Sequence, residues 1–301
     1  MITFTFLSGK QIVFDISKKY KGFYCEYFYH IKAYVLDEMQ YCYCTLTCND
    51  KEIEAIEKII NYDTKEINVT IKNIYNYKLR DWIDINKLDW TNLSCNPNAI
   101  YLLEKNQEKI NWKWLSSNPN AIHLLEKNIS QIEFNELSLN TNAIQLLENN
   151  KKKIDWYYLS ENPNAIYLLE ENEEKICWYC LSLNPNAIYL LEKNPDKINW
   201  FQLSLNLKAI HLLEKNQEKI YWNWLSLNPN AINLIEENLD KINWCELSKN
   251  SSAIEILKEN EKKINWGLLS ENQNAIHLLE KNIDKINWYY LSLNPSIFEE
   301  K

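Results

Sequence analysis

An asparagine returns every 22 residues through the last two-thirds of this chain, at Asn96, Asn118, Asn140, Asn162, Asn184, Asn206, Asn228, Asn250, Asn272 and Asn294, with no insertion or deletion. Each unit reads approximately N-P-N-A-I-x-L-L-E-K-N-x-x-K-I-N-W-x-x-L-S-x. A unit that short is one supersecondary element, and its few large apolar side chains cannot offset the entropy of ordering it alone. Neighbours must share faces. The expectation is a mainly α fold, an α-solenoid of nine to ten short-helix pairs whose stability is dominated by neighbour contacts. At roughly 8–10 Å per packed helix layer, such an array extends into a rod or arc on the order of 80–90 Å long.

Within Asn96 to Ser117, Asn96 suits a helix N-cap and Pro97 the first helical position, where a missing N–H costs nothing. The first helix runs to about Lys105 with Ala99, Ile100 and Leu103 on one face. Asn106, repeated at that phase in nine units, fits a left-handed residue closing the helix in a chain with three Gly. Asn111, or Asp155 at the same phase, caps a shorter second helix that carries Trp112 and Leu115 inward. Trp fills that phase in every unit except at Phe134, which reads as core. The serine column, Ser94 through Ser292, reads as a bond to local backbone. Ten equivalent Ser without a paired His or acid form no catalytic set.

The chain carries 33 basic and 41 acidic side chains. Residues 91–301 hold 21 Lys against 28 acidic groups, so −7 of the net −8 lies in the array. That disfavours generic phosphate binding. The Lys109 and Glu104 columns are expected to pair across the surface for solubility. The eight Cys ignore the period, which fits free thiols in a reducing compartment. No apolar run reaches membrane-spanning length, and the chain opens without a signal-peptide pattern. It is expected to be soluble and intracellular.

Residues 1–75 show no repeat. Met1 to Ile16 alternates apolar and polar residues on both sides of Ser8-Gly9, as a hairpin does. A helix is predicted near Tyr24–Glu38, a strand over Gln40–Cys48, a helix over Lys51–Tyr62 and a strand over Ile67–Ile71. This ββαβαβ order and the opening hairpin resemble the ubiquitin-like β-grasp fold, without a di-glycine tail. Cys42, Cys44 and Cys48 share a strand face with Cys25 and His30 nearby; small core residues are the reading preferred to a zinc site. Residues 76–90 form the junction, where Leu88, Asp89 and Trp90 already match the repeat phase. The solenoid occupies 91–301.

Candidate contact residues are those that vary. The residue after the core Ile is Tyr101, His123, Gln145, Tyr167, Tyr189, His211, Asn233, Glu255 or His277, a polar and aromatic stripe that could meet a partner. Its histidines lie four and three units apart, too far to share a metal. After each Trp comes a second variable pair in which Trp114, Tyr158 and Trp224 are aromatic without the period requiring it. They are either partner anchors or additional core. No Gly-rich phosphate loop, H-E-x-x-H or triad occurs.

The phrase N-P-N-A-I-x-L-L-E-K-N…K-I-N-W-x-x-L-S, as in Asn184 to Ser204, resembles the repeat proteins encoded in many copies by giant DNA viruses of the mimivirus kind. The resemblance spans about 90–297 and implies a protein of the host cytoplasm, viral factory or virion. The function expected is a non-enzymatic protein-interaction scaffold needing no cofactor or metal. The alternatives are single-stranded nucleic-acid recognition and a structural virion role.

Overall fold

The computed structural model describes residues 2–6, 11–14, 42–48, 51–52, 66–73 and 77–300. The chain divides into two compact units, Met1–Asn76 and Tyr77–Lys301. In the first, β1 (Ile2–Phe6), β2 (Gln11–Phe14), β3 (Cys42–Cys48), β4 (Lys51–Glu52) and β5 (Glu66–Asn73) make one sheet in the order β2-β1-β5-β3-β4. Strands β1 and β5 are parallel and the other pairs antiparallel. The helix expected over Lys51–Tyr62 gives way to β4 at its first two residues. Its remainder and the helix near Tyr24–Glu38 lie outside the described residues, as do the side chains of the cysteine group.

The second unit is the repeat array, and its sequence signals translate directly into short helices. In the first full unit the helices are Ile100–Glu104 and Trp112–Ser117, joined by a 3-10 turn at Gln107–Lys109. The first helix starts later than Pro97 suggests. Asn96 spans a turn instead, its side-chain oxygen accepting the N–H of Asn98 at 3.0 Å. Asn106 is not left-handed: its φ is −134°, and its side-chain amide closes the helix by donating to the Leu102 carbonyl. The side chain thus supplies what a positive φ would otherwise achieve.

The expected rod or arc is overturned, because the array closes on itself. Asn118 Nδ2 donates to the carbonyls of Ser94 and Asn96 in the preceding unit, both at 3.0 Å. Asn96 makes the same two bonds to Ser292 and Asn294 at the far end of the chain, at 3.0 and 3.1 Å. The Asn111 N–H donates to Ser94 Oγ, and Asp89 N–H likewise to Ser292 Oγ. The wrap-round separations are 196, 197, 198 and 203 residues, where the in-chain ones are 24, 23, 22 and 17. Each pair adds to 220, ten units of 22. Nine units are continuous, and both chain ends together build the tenth. Residues Asn294–Ile297 give it its opening turn and Trp90–Cys95 its second helix.

A clasp secures this junction. Strand β6 (Tyr77–Leu79) pairs antiparallel with β7 (Phe298–Glu300). Arg80 Nε donates to the Ser296 carbonyl at 2.8 Å, and its guanidinium meets Glu299 at 3.0 Å. Ile297 and Phe298 are buried beneath it.

The core consists of the Leu93, Ala99 and Leu103 columns, with the Asn and Ser columns also buried. Every Asn and Ser there is bonded: Ser94 Oγ donates to the Trp90 carbonyl while accepting the next unit's amide. The Trp column is only half-buried, so the expectation that it is core needs correcting. Nor do the Lys and Glu columns pair with each other. Lys109 lies over the Trp90 ring at 4.4 Å, and Lys87 over Trp288 at 4.9 Å continues the series across the junction. These lysines cover the exposed faces of the preceding tryptophans, a cation–π role.

The second helices carry a local signature too. Asn111, Asp155, Asn199, Asn243, Asn265 and Asn287 cap them with side-chain bonds, whereas Glu133 makes none. Glu133→Asn is therefore expected to stabilise the protein by about 0.5–1 kcal/mol, read as a rise in Tm of about 1–4 °C by calorimetry. An unchanged Tm would show that this cap contributes nothing.

Candidate functional site

A closed ring has an inner and an outer wall, and helix spacing assigns them. Cα atoms of the successive second helices Trp90–Cys95, Trp112–Ser117, Phe134–Leu139 and Trp156–Leu159, and of Trp244–Lys249 with Trp266–Leu269, approach within 8 Å more extensively than those of neighbouring first helices. The second helices therefore lie nearer the axis. The asparagine ladder at their C-terminal ends sets the tightest step. A side-chain amide spanning one unit holds successive backbones roughly 6–7 Å apart, so ten steps enclose a backbone circle about 10 Å in radius.

Along Trp112–Ser117, Leu115 and Ser116 are buried, Lys113 and Trp114 exposed, and Ser117 half-exposed. Positions equivalent to 113, 114 and 117 thus face away from the first helix and toward the axis. At the 117 phase stand Leu139, Leu183, Leu205, Leu227 and Leu293, with Cys95, Ser117, Glu161, Lys249 and Glu271 at the other five. Electrostatics agree with an inward-facing column. Burial pushes the Cys95 thiol up, and it senses Glu271 two units behind and Glu136 two units ahead. Burial also raises the carboxyls of Glu161 and Glu271; Lys249 partly offsets the shift of Glu271.

The 113 and 114 phases carry the aromatic residues. Four consecutive units present Tyr157 and Tyr158, then Tyr179, then Phe201, then Trp224 with Tyr221 beside it. Tyr157 and Tyr158 meet edge-on at 5.3 Å, and Phe201 contacts Tyr221 at 5.4 Å and Trp224 at 4.9 Å. Tyr157, Tyr179 and Tyr221 are 49%, 40% and 51% exposed, large areas for rings with no packing duty. Trp114 is a further exposed ring on this wall. Glu136 and Glu246 flank the arc and are held by Lys113 and Lys249, both at 3.6 Å.

The other candidate stripe lies on the outer wall. There His123, Tyr167, Tyr189 and His211 reach back one unit to Glu104, Glu148, Glu170 and Glu192. Lys105 covers Tyr101 at 4.1 Å, and His277 faces Glu280 on its own helix. Gln145 and Asn233 are exposed. The structure thus separates the two candidate sets, bringing Tyr158 and Trp224 into one arc and spreading the stripe around the circumference. The 117 phase went unrecognised in the sequence, although its mixture of Leu with Glu, Lys and Cys is unlike the fixed columns beside it.

Residues 57–245 match the model of a family described as periplasmic copper-binding protein (NosD). No curated protein and no solved structure matches the chain.

Proposed function

The chain belongs to the NosD family, and we propose that it acts as a non-enzymatic scaffold, a ring whose inner wall captures a segment of a protein partner. The observation that carries this reading is the aromatic arc: four consecutive units place on the wall nearest the axis rings that the repeat does not need for folding. Interfaces draw binding energy from such residues. The family description names copper, and the described donors in the matched segment do not suit a copper centre. His123 and His211 stand four units apart, and among the described residues no three His, Cys, Asp or Glu converge. Cys177 and Cys180 supply two thiols one turn apart, and among the described residues no third donor joins them. Copper enters no step of the proposal.

The N-terminal strand order, with its central parallel pair, supports the reading of a β-grasp module that docks elsewhere. The repeat phrase supports a giant-virus origin and a place in host cytoplasm, viral factory or virion. Cys95, Cys177, Cys180 and Cys245 are free thiols, which suits a reducing compartment better than the periplasm in the family's name. No helix among the described residues is long and apolar enough to cross a membrane.

The test is a nuclease-treated pull-down with the full chain, comparing an inner-wall variant (Trp114→Ala, Tyr158→Ala, Trp224→Ala) with an outer-wall variant (Tyr101→Ala, Gln145→Ala, Asn233→Ala). The inner-wall variant should lose its partner by about tenfold or more, as hot-spot truncation does, while the outer variant keeps it. Loss confined to the outer variant would transfer the function to that wall, and capture abolished by nuclease would favour the nucleic-acid alternative.

A further inference from the structure

Glu161 is a half-buried carboxylate with no ion pair among the described residues, three and four positions after Tyr158 and Tyr157. The Glu161 N–H donates to the Tyr158 carbonyl at 3.1 Å, setting Glu161 one helical turn below Tyr158 on the same inward face. Tyr157 stands edge-on to Tyr158 and close to Cys180 of the next unit, whose thiol also senses Glu161. Tyr179 of that unit lies close enough to act on Tyr157, and Leu183 holds the phase of Glu161 one unit on. No cation answers this charge. Lys113 holds Glu136, Lys249 holds Glu246, and among the described residues none forms an ion pair with Glu161. Burial already raises its carboxyl, so leaving it ionised there is costly. The other nine positions of its column show that the fold does not require an acid: five are Leu.

We propose that Glu161 and the rings of Tyr157, Tyr158 and Tyr179 form a receptor for an alkylammonium group, supplied by a lysine side chain of the captured segment. The carboxylate gives the charge that an ammonium needs. The ring faces attract the cation through their quadrupoles and cover the apolar stem. The acidity of the array, which disfavours phosphate, favours such a partner at long range. This inference rests on the capture reading and names the chemistry of what is captured.

The experiment titrates the full chain with n-hexylammonium and with 1-hexanol, its neutral counterpart, following tyrosine and tryptophan fluorescence. The peptide N-acetyl-Ala-Lys-Ala-amide serves as a third probe. The amine and the peptide should bind, the alcohol about tenfold or more weakly, and Glu161→Gln should remove that preference, as loss of a charged partner does. Glu161→Leu, which copies the neighbouring units and so preserves the fold, should behave likewise. Binding should weaken as pH falls, because a raised carboxyl is neutralised at higher pH than an ordinary one. Equal binding of amine and alcohol, an unaltered preference in either variant, or absence of amine binding overturns the proposal. No partner protein takes part, so such a failure leaves the capture reading standing; loss of capture in the pull-down, conversely, leaves the titration readable.

Discussion

Removal of residues 294–301 is expected to lower the Tm of the full chain by about 10–20 °C and to broaden its unfolding transition. The truncation takes away half of the tenth unit. Ile297 and Phe298, 0% and 5% exposed, lose their burial, worth about 1.5–3 kcal/mol each. Asn96 loses its acceptor at Asn294 and keeps only the Ser292 carbonyl beside the new terminus, and Arg80 loses both Glu299 and the Ser296 carbonyl. Two raw edges then face water where none stood before, and an open array frays from its ends. Calorimetry checks this directly. The complementary variant joins the termini of the Tyr77–Lys301 unit and opens the ring at the exposed turn around Pro195 and Asp196. If closure is the source of stability, this permutant should melt within a few degrees of the parent. A truncation melting like the full chain would show that the junction is not closed in solution.

Asn184→Ala is expected to cost about 3–5 kcal/mol, a fall in Tm of about 10 °C. Asn184 is fully buried; its amide donates to the carbonyls of Ser160 and Asn162, and its oxygen accepts the Asn186 N–H. Alanine leaves the Ser160 carbonyl and the Asn186 N–H unpaired in the core, while the Asn162 carbonyl retains the Ala165 N–H. Asn184→Asp separates two readings of this column. An aspartate serves as well as asparagine in a simple cap. In a ladder it sets a carboxylate against two carbonyls and should be worse than alanine. Exposed Asn149→Ala should change stability by less than about 0.5 kcal/mol. Equal tolerance of Asp and Asn at 184 would reduce the ladder to capping.

The unit, its two helices and its caps were legible because they depend on local chemistry. Asn111 caps a helix in the structure for the reason its type and position suggest. The Asn96 column was half legible: its oxygen does accept a nearby N–H, though in a turn ahead of the helix and not as the expected helix cap, and its amide reaches a neighbouring unit, which pattern within one unit cannot show. The Trp column misled because large and apolar was equated with central. The lysine of the following unit makes a half-buried ring acceptable, and that pairing only appears once units are stacked. Ring closure depends on a small constant rotation per unit, for which no residue type is a marker. One trace was visible. The array begins with a second half, Leu88-Asp89-Trp90, and ends with a first half, Asn294-Pro295, and two complementary halves suit a circle better than a line.

The inner wall was the least legible feature because it is defined by geometry alone. Glu161, Leu183 and Lys249 share a phase with no common chemistry, and only curvature directs them toward one another. Their variability follows from that placement: the Asn and Ser on either side hold the backbone, leaving the residue between them free to differ.

Closure also sets how this protein can change over generations. Tandem repeats gain and lose copies when near-identical stretches recombine, and a linear array absorbs the change as length. Here each unit turns the chain by about a tenth of a circle through the same amide-to-carbonyl step, so an eleventh copy would have to flatten every step at once and a ninth would have to sharpen them. The clasp of Tyr77–Leu79 with Phe298–Glu300 closes a circuit of ten. Copy number is thereby counted by the fold itself, and divergence is channelled into substitution at the positions facing the axis.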